Sequence, residues 1–333
     1  MRVAINGFGR IGRAVFRLLN SRAGVEVAAI NDLADPEALA YLLRHDTVMG
    51  PFQGYAEVAD GMMTTRSQKV RMLQVAKPEE LPWADLGVDY VVEATGRFRK
   101  REEIARHITA GAKKVLLTVP AKDEIDATIV VGVNNEDLEP GHLIVSNASC
   151  TTNCLAPLAY VLDKEFGIER GLMTTVHAYT NDQRLADVPH TDWRRSRAAA
   201  ENTIPTTTGA ARAVGRVMPG LAGKLDGMAI RVPIPDGSVV DLVTIMKTEV
   251  TSQMVKDAVR EAADSDRLRN ILEYVDGPLV SSDIVGDPHS SIFDAEYTHV
   301  IGGNMLKTIS WYDNEWGYSN RVVDLLELMD SLG

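Results

Sequence analysis

Thiols and aromatic groups are scarce in this chain. Only two of its 333 residues are cysteine, Cys150 and Cys154, and aromatic residues make up 6%. If the two thiols share a helix, four residues apart, they stack along one face, a geometry that disfavours a disulfide between them. A reduced, cytoplasmic setting is therefore expected. Long apolar runs are missing as well: none approaches the roughly 18 residues that a membrane span needs, and no membrane association is expected. The opening Met1-Arg2-Val3-Ala4-Ile5-Asn6-Gly7 enters a strand and a glycine turn at once, without the apolar core or small-residue cleavage site of a secretory leader. Positive charge is in deficit: 35 Lys and Arg against 46 Asp and Glu leave a net charge of −11. Neutralising phosphates along a nucleic acid needs a basic surface, so nucleic acid is not expected as the main partner. What remains is an ordinary globular balance, 45% hydrophobic and 24% charged, in a length that suggests about two domains.

The first half alternates short apolar runs with helical spacing. Val3–Ile5, Val25–Ile30, Tyr90–Val92, Val115–Leu117, Ile129–Val131 and Leu143–Val145 read as buried parallel strands, and Ile11–Leu19 as a helix. This alternation predicts an α/β domain with a doubly wound, Rossmann-type parallel sheet over residues 1–149. Longer strand-like stretches follow: Leu172–Thr180, Met228–Val232, Val239–Lys247 and Met305–Ser310, with one amphipathic helix around Met254–Ala262. They predict an α+β domain over 150–314 with a mostly antiparallel or mixed sheet. The segment 315–333 is helical again, with Val322, Leu325, Leu326 and Met329 on one face. Residues 181–205 form a long polar stretch without periodicity, a length expected of a functional or partner-bound loop.

Gly7-Phe8-Gly9-Arg10-Ile11-Gly12 fits G-x-G-x-x-G, which is a weak signal by itself. Here it follows a predicted strand and opens a predicted helix, and Asp32 ends the next strand about 20 residues on, as a dinucleotide site requires. Gly7 allows the tight turn, Gly9 lets a pyrophosphate approach the backbone, and Gly12 packs helix on strand. The helix N-terminus offers N–H donors to the diphosphate. Asp32 would accept from the ribose hydroxyls and repel a 2′-phosphate, which favours NAD over NADP.

Cys150 sits after Leu143–Val145 and before the helical pattern Leu155, Leu158, Ala159, Leu162 and Phe166. A thiol on the first turn of a helix meets unpaired N–H groups and the positive end of the helix dipole, which favour the thiolate. The alternative is a small buried residue. Arg194, Arg195, Arg197, Arg212, Arg216 and Arg231 cluster in an otherwise acidic chain, where a small anion could be met. Solvated or interface arginines are the plainer account of any one of them.

A thiol beside an NAD site suggests aldehyde oxidation through a thioester. At this point the chain resembles the phosphorylating glyceraldehyde-3-phosphate dehydrogenase family from end to end. The resemblance is carried by Ile5–Arg13, Ser146–Cys154, Thr174–Gln183, Ile204–Ala211, Arg231–Pro233 and Trp311–Tyr318. It implies Cys150 as nucleophile, His177 as general base, and the Cys150 N–H with His177 as stabilisers of the oxyanion. Thr180 and Arg231 would hold the substrate's phosphate. Ser149, Thr151, Thr208 and Gly209 would hold the attacking inorganic phosphate, and Arg195 would lie between the two. For NAD it implies Gly7, Gly9, Arg10, Ile11, Gly12, Asp32, Lys77, Thr95, Gly96, Thr118, Asn314 and Tyr318, with Asn314 on the nicotinamide carboxamide. No metal is called for. The loop Asn181–Ala200 resembles a family segment that crosses to a neighbouring subunit, which implies a homotetramer, and the C-terminal helix would return to the NAD domain.

Departures from the family pattern, such as Val119, Val188, Trp193 and Ser196, do not touch the chemistry. Leu33 and Pro189 lack the polar replacements associated with NADP. The nearest alternative is erythrose-4-phosphate dehydrogenase, whose segment after the histidine usually lacks the Tyr179-Thr180-Asn181 run kept here. An alternative of another class is a non-catalytic NAD- or RNA-binding protein on the same scaffold, against which Cys150, His177 and Arg231 are all present.

Overall fold

Val3, Ala4 and Ile5 are completely shielded from solvent, because the strand that carries them, β1 (Arg2–Asn6), lies inside a nine-stranded sheet. The computed structural model describes residues 1–333 as two compact units. The first comprises Met1–Ile129, Asn135–Ser149 and Ser319–Gly333, and the second comprises Val130–Asn134 and Cys150–Tyr318.

In the first unit β1 pairs in parallel with β2 (Glu26–Asn31) and with β6 (Tyr90–Glu93). A hairpin of β3 (Ala56–Ala59) and β4 (Met62–Thr65) adds antiparallel to β5 (Lys69–Leu73), which is parallel to β2. On the other side β7 (Lys114–Leu117), β8 (Ala127–Thr128) and β9 (Ile144–Ser146) continue the parallel run, giving the order β3-β4-β5-β2-β1-β6-β7-β9-β8. Strands buried on both faces read as unbroken apolar runs, hence Tyr90–Val92 and Val115–Leu117. Helices α1 (Arg10–Leu19), α2 (Pro36–Arg44), α3 (Arg101–Ile104) and α4 (Arg106–Thr109) connect the strands. Asp35 caps α2 by accepting from Glu37 N and Ala38 N at 2.8 and 3.1 Å, with Pro36 in the first turn.

The run Ile129–Val131 is not a strand. Pairing stops at Thr128 and the chain turns into Val130–Asn134, which belongs to the second unit. There Arg267 donates to Gly132 O at 2.8 Å and to Val133 O at 2.6 Å. Ile129 and Val130 are fully buried all the same, and a short apolar run is equally at home in a strand or in any other buried segment.

The second unit begins in chain order with α5 (Cys150–Phe166) and the eleven-residue β10 (Ile168–Ala178). Its seven strands add β11 (Ile204–Thr207), β12 (Leu225–Val232), β13 (Ser238–Met246), β14 (Leu272–Val275), β15 (Ser291–Ile301) and β16 (Met305–Tyr312). The order is β11-β12-β10-β13-β16-β15-β14, with β10–β12 and β14–β15 parallel and the other pairs antiparallel. The sheet is therefore mixed. Helix α5 packs on β10, β13, β15 and β16, α6 (Ala210–Val217) on β12, and α7 (Ser252–Asp264) on β14 and β15. Successive side chains of a strand point to opposite faces. On β10, Met173, Thr175 and His177 are buried while Leu172 is 67% exposed. Met228 on the adjacent β12 and Met305 on β16 are exposed likewise.

The last helix, α8 (Trp316–Ser331), starts before the predicted periodicity does, and from Ser319 it belongs to the first unit. Glu327 takes two hydrogen bonds from Arg22, at 2.7 and 2.9 Å, and Lys114 Nζ donates to Gly333 O at 2.8 Å. No helix of the chain is long and apolar enough to cross a membrane.

Candidate active site

In the first unit the glycine turn leaves no room for side chains where the backbone is closest. A Cβ on Gly7, whose φ is +94°, would lie 2.6 Å from Thr95 N, and one on Gly12 would lie 2.0 Å from Gly7 O. At Gly9 nothing stands within 4 Å, and this open side borders a cavity of about 290 Å³. Asn6, Gly7, Asp32 and Thr95 line the same cavity. The Asp32 carboxylate accepts from Phe8 N at 2.7 Å and from Ala34 N at 3.0 Å, which fixes it at the rim. A backbone cradle at a helix N-terminus with a carboxylate at its edge fits a dinucleotide.

Beneath the turn, Glu93 is fully buried and accepts from Asn6 Nδ2 at 2.5 Å and Thr95 N at 2.9 Å. His107 Nδ1 takes the Trp83 indole N–H at 3.0 Å, so its Nε2–H donates to Glu93, also at 3.0 Å. Nothing in the local sequence marked this network, which ties Asn6 and Thr95 together under the glycine loop.

The other cofactor candidates are less uniformly placed. Arg10 and Ile11 begin α1, and Arg10 is paired with Asp46 at 2.5 Å. Thr118 donates to Glu93 O at 3.1 Å. Gly96 follows Thr95 with a φ of +67°. Lys77 lies between cavity-lining Ala76 and Pro78, but its ammonium is exposed and paired with Glu80 at 2.8 Å.

In the second unit Cys150 is the first residue of α5, and its Sγ lies 3.5 Å from His177 Nε2 near the end of β10. Arg231 on β12 is opposite His177 in the parallel register, and its Nη1 is 2.7 Å from His177 Nδ1 and 3.0 Å from Ala178 O. Nδ1 also lies 2.7 Å from Ala178 O, so it accepts from the guanidinium in one tautomer and donates to the carbonyl in the other. Tyr312 stands edge-on to the imidazole, with centroids 5.8 Å apart, and its hydroxyl meets Thr151 Oγ1 at 2.8 Å and Thr175 Oγ1 at 2.9 Å. Tyr312 and Thr175 were not picked out from sequence. The period-2 burial of β16 (Leu306, Thr308, Ser310, Tyr312) is the signal that would have found the first.

The electrostatics correct one expectation. The helix N-terminus was expected to favour the Cys150 thiolate, yet burial pushes the thiol up, and Arg231 and the Thr151 hydrogen bonds only partly oppose it. Burial, then the Arg231 charge, pushes His177 down to about 3, so the imidazole is neutral. Cys154, one turn on, is fully buried; its thiol is 3.8 Å from Ser291 Oγ and 3.7 Å from Ser310 O, and burial takes it far above the thiol range.

The anion-site candidates fall into two groups. Arg195 is close enough for its positive charge to disfavour that of Arg231, and Arg231 Nε is buried without a hydrogen-bond partner. Arg195 is held by Asp182, by Thr206 Oγ1 at 2.9 Å and by Thr207 O at 3.1 Å. Thr180 N donates to Gln183 Oε1 at 3.2 Å. On the other side, Thr152 donates to Ala210 O at 3.3 Å, which brings the first turns of α5 and α6 together. Thr151 lies in the first of these turns. Thr208, whose Oγ1 accepts from Ala210 N at 3.2 Å, and Gly209 lead into the second. Ser149 immediately precedes Cys150 and ends a stretch of the first unit. Asn314 follows β16, and its Oδ1 accepts from Ser238 Oγ at 2.6 Å; Tyr318 is buried in α8.

The chain matches two family models, described as the NAD binding domain and the C-terminal domain of glyceraldehyde 3-phosphate dehydrogenase, over residues 1–101 and 149–314. It is 54% identical to a glyceraldehyde-3-phosphate dehydrogenase of Streptomyces coelicolor, over 98% of this chain and 97% of the relative. Identity is also 54% with that of Geobacillus stearothermophilus (100% and 99% covered), and 55% with that of Mycobacterium tuberculosis (99% and 98%). A binding turn, a thiol–imidazole pair and full-length likeness agree: the chain belongs to the glyceraldehyde-3-phosphate dehydrogenase family.

Proposed function

We propose that the chain converts glyceraldehyde 3-phosphate, NAD and inorganic phosphate to 1,3-bisphosphoglycerate and NADH through a thioester on Cys150. The observation that carries this reading is the Cys150–His177–Arg231 constellation, with sulfur and imidazole 3.5 Å apart and an arginine against the ring's far nitrogen. While Arg231 donates to Nδ1, the ring cannot take a proton at Nε2. In the other tautomer the ring proton is on Nδ1 and donates to Ala178 O, 2.7 Å away, and a substrate phosphate that draws the guanidinium toward itself favours that tautomer, with Nε2 unprotonated. Nε2 then accepts the thiol proton.

The sulfur attacks the aldehyde carbon, and the new oxyanion meets the Cys150 N–H and the His177 Nε2–H. NAD, held by the residues around the glycine turn, supplies the hydride acceptor when bound. Loss of hydride from the carbon restores C=O as a thioester. A phosphate oxygen then attacks that carbon, and the C–S bond breaks with the electron pair returning to sulfur. Ser149, Thr151, Thr208 and Gly209, beside two helix N-termini, are suited to the attacking phosphate. Thr180 and Arg231 are suited to the substrate's own, with Arg195 alongside. Ser238 occupies Asn314 Oδ1, which leaves the amide NH₂ to donate to a carboxamide oxygen.

One assay of NADH formation tests the whole reading. Turnover is expected with the triose phosphate, to depend on inorganic phosphate, and to favour NAD over NADP because of Asp32. Phosphate-independent turnover, or a clear preference for erythrose 4-phosphate, defeats it.

Self-association as a homotetramer belongs to the same proposal. Leu172, Met228 and Met305 are exposed on the second unit's sheet, and Leu185 and Trp193 are 83% and 86% exposed on the loop before β11. Apolar surface of that extent is expected to be covered by further copies of the chain. Sedimentation is expected to give four times the 36.4 kDa chain mass, and a stable monomer at micromolar concentration refutes the assembly. The acidic balance disfavours nucleic acid as the main partner, and a cytoplasmic setting suits two free thiols.

A further inference from the structure

Two carboxyl groups outside the chemistry just described are buried against each other. Asp236, before β13, is 3% exposed, and Asp313, after β16, is 1% exposed. Ser238 lies opposite Tyr312 in the β13–β16 register, which brings the two carboxyls together, and two buried carboxyls in contact are reconciled by a proton on one of them. The donors around them say which one. Asp313 Oδ1 accepts from Glu315 N and Trp316 N at 2.8 and 2.6 Å, and its Oδ2 accepts from Gly286 N at 2.7 Å. It is surrounded as an ionised carboxylate. Asp236 Oδ1 accepts only from Gly237 N at 2.8 Å, and no donor reaches its buried Oδ2.

We propose that Asp236 is a positioning residue for the nicotinamide end of the site: it stays protonated at neutral pH and donates its O–H to Asp313. This bond joins the start of β13 to the turn that carries Asn314. Ser238, two residues on from Asp236, completes the clamp by donating to Asn314 Oδ1 at 2.6 Å and accepting from Ala178 N at 3.1 Å, next to His177. Loss of the proton sets two anions against each other in a buried place. It also adds a negative charge that disfavours the Cys150 thiolate.

The charged groups facing the pair support the assignment. Burial raises Asp236 first, then Asp313, then Glu315 from the same turn, while Gly237 N opposes weakly. On Asp313 burial also acts upward, and Asp236 and the three backbone N–H groups hold it down. From α5, the facing titratable group is Cys150. A raised carboxyl makes the folded state bind more protons than the unfolded chain above the ordinary carboxylate range, so stability falls as pH rises.

The role of Asn314 in this proposal rests on the function proposed above; the shared proton does not. The test uses the full chain with Asp236→Ala and Asp236→Asn. In Asp236→Ala, KM for NAD is expected to rise about tenfold, as when a buried acceptor loses its donor. Asp236→Asn donates N–H in place of O–H, so it is expected to restore KM and to remove the wild-type loss of kcat toward alkaline pH. Infrared difference spectra at neutral pH are expected to show a protonated carboxyl band in the wild type that is gone in Asp236→Asn, and this readout needs no turnover. The thermal midpoint of Asp236→Asn is expected to fall less than that of the wild type between neutral and alkaline pH. A missing carboxyl band overturns the shared proton. The band with an unchanged KM for NAD in Asp236→Ala overturns the positioning role.

Discussion

Replacing Cys150 with Ser is expected to lower kcat for aldehyde oxidation by at least about 10⁴-fold, whereas Cys154→Ser changes it by less than about twofold. The two thiols are one helical turn apart, and the contrast comes from what each faces. Cys150 is half-buried at the first position of α5, with the His177 imidazole 3.5 Å from its sulfur. Burial already opposes its ionisation. A serine hydroxyl, far more basic as an anion, has no prospect of ionising there. Cys154 is fully enclosed, and its contacts are Ser291 Oγ and the Ser310 carbonyl at 3.8 and 3.7 Å. A hydroxyl of similar size can donate to the same carbonyl, so folding as well as activity is expected to survive. Steady-state rates and denaturation midpoints of the two variants check both statements. Equal losses in the two would mean that neither sulfur is a nucleophile and that the helix start matters only for packing.

What could be read from the chain follows from the range of each interaction. The Gly7–Gly12 turn was legible because its constraints are local: Gly12 clears Gly7 O five residues away, and the strand and helix on either side show in the same window. The doubly wound sheet was legible because parallel strands buried on both faces leave apolar runs such as Val115–Leu117. Ile129–Val131 carried the same signature, and Ile129 and Val130 are buried, but the run lies where the chain leaves the first unit for a turn of the second. Strand β15, Ser291–Ile301, went unread because Asp294 and Ser291 are buried in it and mask its pattern. At the site, Cys150 showed its helix start in its own neighbourhood, but its proton affinity did not, since that is set by burial beneath distant strands. His177 and Arg231 are 54 residues apart and meet only through the β10–β12 register. The Asp236–Asp313 pair likewise depends on two turns that only the folded sheet brings together.

His177→Asn is expected to lower kcat by about 10²- to 10⁴-fold at neutral pH, the usual worth of a positioned general base, with a smaller effect on KM. The side chain touches both sides of the chemistry, with Nε2 toward the sulfur and Nδ1 toward Arg231 and Ala178 O. Asparagine can place one donor near the sulfur but cannot take its proton. The same variant has a stability signature with a definite sign. Burial and Arg231 push His177 down to about 3, against 6.5 for a free imidazole. Below pH 6.5 the unfolded chain therefore binds a proton that the folded chain refuses, and stability is lost as pH falls from there toward 3. At pH 5 the difference is about 2 kcal/mol. His177→Asn removes that cost, so urea midpoints of variant and wild type are expected to converge between pH 7 and pH 5. Midpoints that diverge over that range, the wild type gaining as pH falls, would show that the fold holds the ring protonated. The thiol and imidazole would then form an ion pair, against the direction in which burial pushes each of them.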